Sequence, residues 1–188
     1  MNYKIILASN SPRRKELLKG LDLDFEVRII PDIDESYPPD LPPEEIPCYI
    51  ARKKAAAYSV SMQANELIIT ADTVVVLDGD IIEKPADKSD AIRMLKRLSG
   101  RKHQVITAVT LTTMDRQHSF SVTSSVDFAL LTAEEINYYL DRYQPYDKAG
   151  AYGIQEWIGY VGVSSIEGSF YNVMGLPIQR LYQELKHF

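Results

Sequence analysis

Near the start of the chain, the apolar run Lys4-Ile5-Ile6-Leu7-Ala8 breaks into Ser9-Asn10-Ser11-Pro12-Arg13-Arg14 and then into Lys15-Glu16-Leu17-Leu18. The pattern predicts a buried strand, a polar loop and a helix capped by Ser11, with Pro12 at its first position. Residues 25–30 alternate with period two, a second strand, and run into the acidic loop Pro31-Asp32-Ile33-Asp34-Glu35. A Pro-rich stretch over 38–43 then leads into a helix with Ile46, Tyr49, Ile50 and Ala57 near one face and Arg52, Lys53 and Lys54 midway. Residues 67–77 are a nearly continuous apolar strand, and Asp78-Gly79 is a favoured hairpin turn into residues 80–85.

Farther on, residues 89–98 predict a helix with Ala91, Ile92, Leu95 and Leu98 inward, closed by Gly100 in the left-handed conformation. Residues 105–113 and 120–131 read as strands joined by the polar turn 114–117. Thr132-Ala133-Glu134-Glu135 is a capping box, and the helix behind it buries Ile136, Tyr139, Leu140 and Tyr143. A glycine-rich segment over 145–155 precedes an expected β-hairpin over 157–171, turning near Glu167-Gly168. Asn172 to Pro177 then begin a C-terminal helix with Ile178, Leu181, Tyr182 and Leu185 on its inner face. Strands and helices mingle without strict βαβ alternation, so the expected architecture is α/β, a mixed sheet flanked by helices.

Length and composition narrow the function. At 188 residues the chain can bury one substantial core or two small lobes sharing a sheet, and one compact unit is expected; 45% hydrophobic with 25% charged residues argues against both a disordered and a membrane-spanning class. The amino terminus is too short in apolar residues for a secretory signal, and the single cysteine, Cys48, leaves no internal disulfide, so a cytoplasmic location is expected. His103, His118 and His187 are scattered and form no zinc pattern. A net charge of −5 with no basic stripe argues against a nucleic-acid polymer as partner, and nothing points to a membrane. Any anionic ligand is then a small molecule held by local positive groups.

Three segments carry candidate chemistry. The loop from Ser9 to Arg14 combines two hydroxyls, two guanidinium groups and a helix N-terminus, which suits a phosphate; an ordinary capped helix with solvated arginines, or arginines paired with Glu16, is the competing reading. Asp72 interrupts a strongly apolar strand, where a carboxylate costs desolvation energy unless it is paired, liganded or facing a cleft. In the segment Asp147 to Gln155 small residues allow close backbone approach, Lys148 can meet a phosphate and the Gln155 amide can meet a base. A groove gathering these three segments is expected. No Walker-type loop is present, which disfavours a phosphoryl transferase.

With those residues named, the sequence resembles the Maf family of nucleoside triphosphate pyrophosphatases over essentially its whole length, as a single domain over 1–188. The motifs run in order as A-S-N-S-P-R-R-K-E-L-L from Ala8, D-E at Asp34-Glu35, A-R-K-K-A from Ala51 and A-D-T-V-V from Ala71. They continue as E-K-P from Glu83, L-S-G from Leu98, H-Q-V-I-T-A-V from His103, D-K-A-G-A-Y-G-I-Q from Asp147 and N-V-M-G-L-P from Asn172. The resemblance implies a two-lobed fold with a central cleft, akin to inosine triphosphate pyrophosphatases. It also implies hydrolysis of a nucleoside triphosphate to the monophosphate and pyrophosphate. Arg13, Thr73 and Gln155 match the specificity positions of the branch acting on dTTP and UTP, and the family's proton acceptor falls on Asp72. Ser9, Ser11, Arg14, Lys54, Lys84 and Lys148 are candidate phosphate contacts, magnesium or manganese is the expected cofactor, and Glu35 is the first candidate metal-ligating carboxylate. A homodimer is common among relatives. A non-catalytic nucleotide-binding regulator of septum formation is the main alternative, and Arg13 is expected to matter more than Arg14.

Overall fold

The computed structural model describes residues 3–188. Among these residues seven strands form a mixed sheet in the order β2-β1-β3-β5-β6-β7, with β4 paired to β3 off this path. The strands are β1 Lys4–Leu7, β2 Phe25–Val27, β3 Glu66–Leu77, β4 Asp80–Ile82, β5 Lys102–Thr112, β6 Gln117–Phe128 and β7 Val163–Glu167. The helices are α1 Pro12–Lys19, α2 Ile46–Ser59, α3 Lys88–Leu98, α4 Ala133–Tyr143, α5 Trp157–Gly162, α6 Phe170–Met174 and α7 Ile178–Leu185. The chain divides into two compact units. Unit 1 comprises the chain up to Asp72 with Thr107–Val122 and Gly175–Phe188, and unit 2 comprises Thr73–Ile106 and Thr123–Met174.

In unit 1, β1 runs parallel to both β2 and β3, with Lys4 opposite Glu66 and Leu7 opposite Ile69. A strand flanked on both edges and covered on both faces needs the unbroken apolar run Ile5-Ile6-Leu7, and all three are buried. Leu7 hands the chain to a loop that Ser11 closes by accepting a hydrogen bond from the Arg14 N–H at 3.4 Å, with Pro12 opening α1. The second strand is shorter than its alternation predicts. Beyond Val27 the Arg28 guanidinium reaches the buried Glu66 carboxylate, at 2.9 and 2.5 Å, and the Tyr58 hydroxyl donates to the Arg28 carbonyl and accepts from the Ile30 N–H, so that a side chain takes over these two backbone groups. On α2 the inner face is Ile46, Ile50, Ala51, Ala55 and Tyr58, whereas Tyr49 faces solvent.

Unit 2 is built around a core that includes Val75, Leu77, Leu95, Phe128, Tyr139, Tyr152 and Ile158. The β3–β4 hairpin forms as predicted, with Asp78 and Gly79 both at positive φ, 55° and 86°, the pair a type I′ turn demands. The capping box of α4 is complete: Thr132 Oγ1 accepts from the Glu135 N–H and the Glu135 carboxylate accepts from the Thr132 N–H.

The expected hairpin over 157–171 does not form. Residues 157–162 are helix α5, and only Val163–Glu167 is a strand, antiparallel to β6. A period-two reading puts residues 158, 160 and 162 on one face, yet Ile158 and Gly162 are buried while Tyr160 is 82% exposed, a helical spacing. Gly159 permits it, since a Cβ there would meet the Ile154 carbonyl oxygen at 1.7 Å. Asn172 lies in the separate short helix α6, fully buried, with its amide donating to the Val105 carbonyl and Ser124 Oγ. The C-terminal helix α7 starts at Ile178 and buries Leu181 and Leu185, and Tyr182 is turned outward.

Candidate active site

In unit 1 the end of β1, the first turn of α1, the acidic loop and the middle of α2 converge on the point where β3 carries Asp72. Lys54, one turn short of the end of α2's buried face, is the hub: its ammonium lies 2.9 Å from Asp72 Oδ1 and 3.0 Å from Glu35 Oε1. Two carboxylates thus share one cation. The neighbouring Lys53 holds the loop that presents Glu35, donating to Asp34 Oδ2 at 2.5 Å and to the Ser36 carbonyl at 3.0 Å. That bond, with the Ser36 N–H and hydroxyl donating to the same carboxylate, brings the Asp34 pKa down to about 2. Of the three basic residues midway along α2, Lys54 is largely buried, Lys53 is paired with the acidic loop and Arg52 is exposed.

Arg14 passes beneath this cluster. Its Nε donates to the Gly175 carbonyl at 2.8 Å and its Nη1 to the Ala71 carbonyl at 2.9 Å, so it fixes the backbone immediately before Asp72 and that of the N-V-M-G-L-P segment. Burial lowers the Arg14 pKa, opposed chiefly by the Asp72 charge. Asp72 is itself buried, and that burial raises its pKa against the pull of Lys54 and Arg14. Ser9 Oγ accepts from the Ser11 N–H at 3.2 Å, shaping the loop on which half-buried Arg13 sits.

Thr73, Lys84, Lys148 and Gln155 belong to unit 2. Thr73 is half-buried on β3 and Lys84 is exposed after β4. Lys148 is buried and paired, 2.8 Å from Asp147 Oδ1 and 3.2 Å from Glu156 Oε1. The glycine-rich segment is pinned at several points: the Gly150 N–H donates to the Glu83 carbonyl at 3.0 Å, Tyr152 Oη meets His103 Nε2 at 2.7 Å, and the Gly153 N–H donates to Tyr139 Oη at 2.9 Å. The Gln155 carbonyl oxygen is buried with no hydrogen-bond partner among the described residues. A buried acceptor left in this way costs about 1–3 kcal/mol unless a ligand supplies the donor.

Tyr139 and Glu156 were not among the sequence candidates for the site. A tyrosine at a core-facing helix position looks like packing, and only the hydroxyl's two partners reveal the rest.

Among the described residues no group of three or more His, Cys, Asp or Glu side chains could hold a metal ion by itself. Glu35 and Asp72 do offer hard oxygen donors on either side of one ammonium. That donor set fits a magnesium or manganese ion that takes one or two carboxylates and completes its shell with phosphate oxygens and water.

Among proteins of known name, the chain is 64% identical over 186 residues to the dTTP/UTP pyrophosphatase of Parabacteroides distasonis, covering 99% of this chain and 96% of that protein. It is 63% identical over 184 residues to the dTTP/UTP pyrophosphatase of Bacteroides thetaiotaomicron, covering 98% and 95%. Among solved structures, a HAM1 protein from Coxiella burnetii superposes with a TM-score of 0.52 at 16% identity, over 99% of this chain and 100% of that one, a likeness of fold. The family described as Maf-like protein matches residues 4–188, and with relatives this close over nearly the whole length, the chain belongs to the Maf-like protein family.

Proposed function

We propose that this protein is a nucleoside triphosphate pyrophosphatase that hydrolyses dTTP and UTP to the monophosphate and pyrophosphate. The observation that carries the reading is identity above 60% along nearly the full chain to proteins named dTTP/UTP pyrophosphatase. The cluster of Asp72, Lys54, Glu35 and Arg14 supports it with chemistry that suits the reaction.

Water attacks the α-phosphorus, a P–O bond forms, the bond to the bridging oxygen breaks, and pyrophosphate leaves. A water molecule is a poor nucleophile towards a polyanion, so the site neutralises the phosphates, positions the water and removes its proton. Asp72 is the proton acceptor in this reading: burial raises its proton affinity, while Lys54 opposes that rise and aims the carboxylate. Arg13, the first turn of α1 with Ser9 and Ser11, and Lys54 hold phosphate oxygens, and Lys84 and Lys148 add charge. Arg14 holds the backbone under Asp72. Glu35 and Asp72 would hold a magnesium or manganese ion, which would add charge neutralisation on the phosphates. Gln155 reads the base: its carbonyl oxygen accepts from N3–H of uracil or thymine and its amide donates to O4, a pattern cytosine reverses.

Cys48, unpaired, fits a reducing cytoplasmic setting, and a homodimer accords with the family resemblance. The test is direct. Purified protein with magnesium and a panel of triphosphates is expected to release pyrophosphate and monophosphate in equal amounts, fastest from dTTP and UTP. Nucleotide binding without release would replace the enzyme with a regulator.

A further inference from the structure

The side chain of Tyr139 enters the core of unit 2 from α4 and is fully buried, stacked on Tyr143 with ring centroids 5.2 Å apart. Its hydroxyl is not idle. It donates to Glu156 Oε2 and accepts from the Gly153 N–H at 2.9 Å, so one oxygen ties the residues two before and one after Gln155. Burial raises the phenol pKa, which keeps the proton on the oxygen and the bond to Glu156 donated from it.

The Glu156 carboxylate reaches this position by lying over Gly153. A Cβ on Gly153 would meet Glu156 Cδ at 2.8 Å and Lys148 Cε at 3.0 Å, so the glycine leaves room for the carboxylate and the lysine stem together. The other carboxylate oxygen takes the Lys148 ammonium at 3.2 Å. The backbone between is strained, with Ala151 at φ 58°, a left-handed conformation that costs a non-glycine residue energy and persists only where neighbours fix it. Tyr139 is one such fixed point, and the Glu156 N–H to the Gly153 carbonyl, 3.0 Å, is another.

We propose that Tyr139 and Glu156 are positioning residues that set pyrimidine selectivity, one phenol oxygen and one carboxylate clamping the turn that presents Gln155 and Lys148. This rests on the reading that Gln155 recognises the base. An amide discriminates uracil or thymine from cytosine only if its carbonyl and amino ends keep their places, because a flipped amide suits cytosine equally well. The clamp fixes the backbone from which the Gln155 side chain reaches, and so where its amide meets the base edge, and one phenol oxygen from outside the glycine-rich segment holds both ends of the turn.

The experiment measures kcat/KM for dTTP and dCTP with full-length Tyr139→Phe, Glu156→Ala, Glu156→Gln, Gln155→Ala and Tyr139→Phe/Gln155→Ala proteins, alongside their thermal midpoints. Tyr139→Phe and Glu156→Ala are expected to lower the dTTP-to-dCTP ratio about tenfold. Glu156→Gln, whose amide oxygen still accepts from the phenol, is expected to keep the ratio. In the Gln155→Ala background, Tyr139→Phe is expected to leave the ratio where Gln155→Ala alone puts it, the non-additivity of two residues acting as one unit. If Tyr139→Phe folds poorly, Glu156→Ala carries the test. A fall in thermal midpoint with an unchanged ratio in both variants overturns the proposal, as does an equal fall in ratio with and without Gln155. A Gln155→Ala protein with unaltered preference overturns the base-reading itself, a result distinguishable because that variant leaves Tyr139 and Glu156 untouched.

Discussion

Asp72 lies under opposed influences. Burial raises its pKa, Lys54 and Arg14 pull it down, and the Glu35 charge pushes it up again, with the rise prevailing. A carboxyl that holds its proton more tightly folded than unfolded makes the folded state lose stability as pH rises from the usual aspartate value through the raised one. Ionising Asp72 therefore works against the fold, a cost that its role as proton acceptor requires. Asp72→Asn keeps the shape, leaves Lys54 its bond to Glu35, and is expected to raise the thermal midpoint by about 2–4 °C, the effect of about 1 kcal/mol in a chain this long. Pyrophosphate release is expected to fall at least about a hundredfold in the same protein. Loss of both activity and stability would make Asp72 a structural member of the ion pair. The residue was legible in the sequence because a carboxylate in a β-forming apolar run has few cheap explanations. Arg14 was not: two adjacent arginines in a helix's first turn look alike, and which one reaches the Ala71 and Gly175 carbonyls depends on how α1 is rotated over β3.

At the scale of elements, β5 and the glycine-rich segment are joined by an aromatic cluster. His103 on β5 is 2% exposed, packs edge-on against Phe128 and Tyr152, and shares a hydrogen bond with the Tyr152 hydroxyl. Burial drops its pKa to about 4. A histidine depressed in the folded state takes up its proton first in the unfolded chain, so its contribution is full above about pH 6.5 and is lost as pH falls towards 4. The change is about 3 kcal/mol at its upper limit. Urea denaturation at pH 7 and pH 5 is expected to show a steep acid loss in the wild type and a flatter one in His103→Gln, which keeps a polar group near Tyr152. Parallel curves would assign the acid loss elsewhere. Most elements here follow from pattern alone, because capping boxes, the Asp78-Gly79 turn and unbroken apolar runs act within a few residues. Helix α5 escaped that reading because Trp157, Ile158, Tyr160 and Val161 are all strand formers, and the contact that decides, Gly159 on the Ile154 carbonyl, is a matter of packing.

Taken as a whole, the molecule carries a net charge of −5, the wrong sign for attracting a triphosphate from a distance. Affinity then has to come from a few placed cations and, in the proposed function, from the charge that a divalent ion held by Glu35 and Asp72 would add. This makes binding strongly linked to both nucleotide and metal. A ligand that binds only the folded chain stabilises it by about 2.7 kcal/mol at a hundred times its dissociation constant, and in a protein of this length that is about 5–10 °C in thermal midpoint. The probe is α,β-methylene-dUTP, in which the bond to be hydrolysed is replaced by carbon, so the ligand persists through the melt. With magnesium it is expected to give that full shift, and the cytidine analogue a smaller one. A chelator is expected to remove most of the shift while leaving the midpoint of the nucleotide-free protein unchanged, because in this reading the ion would bind together with the nucleotide. An equal shift with and without magnesium would show that the side-chain cations suffice and that Glu35 has another task. A shift abolished by Glu35→Gln only when magnesium is present would locate the ion's protein ligand at the carboxylate that shares Lys54 with Asp72.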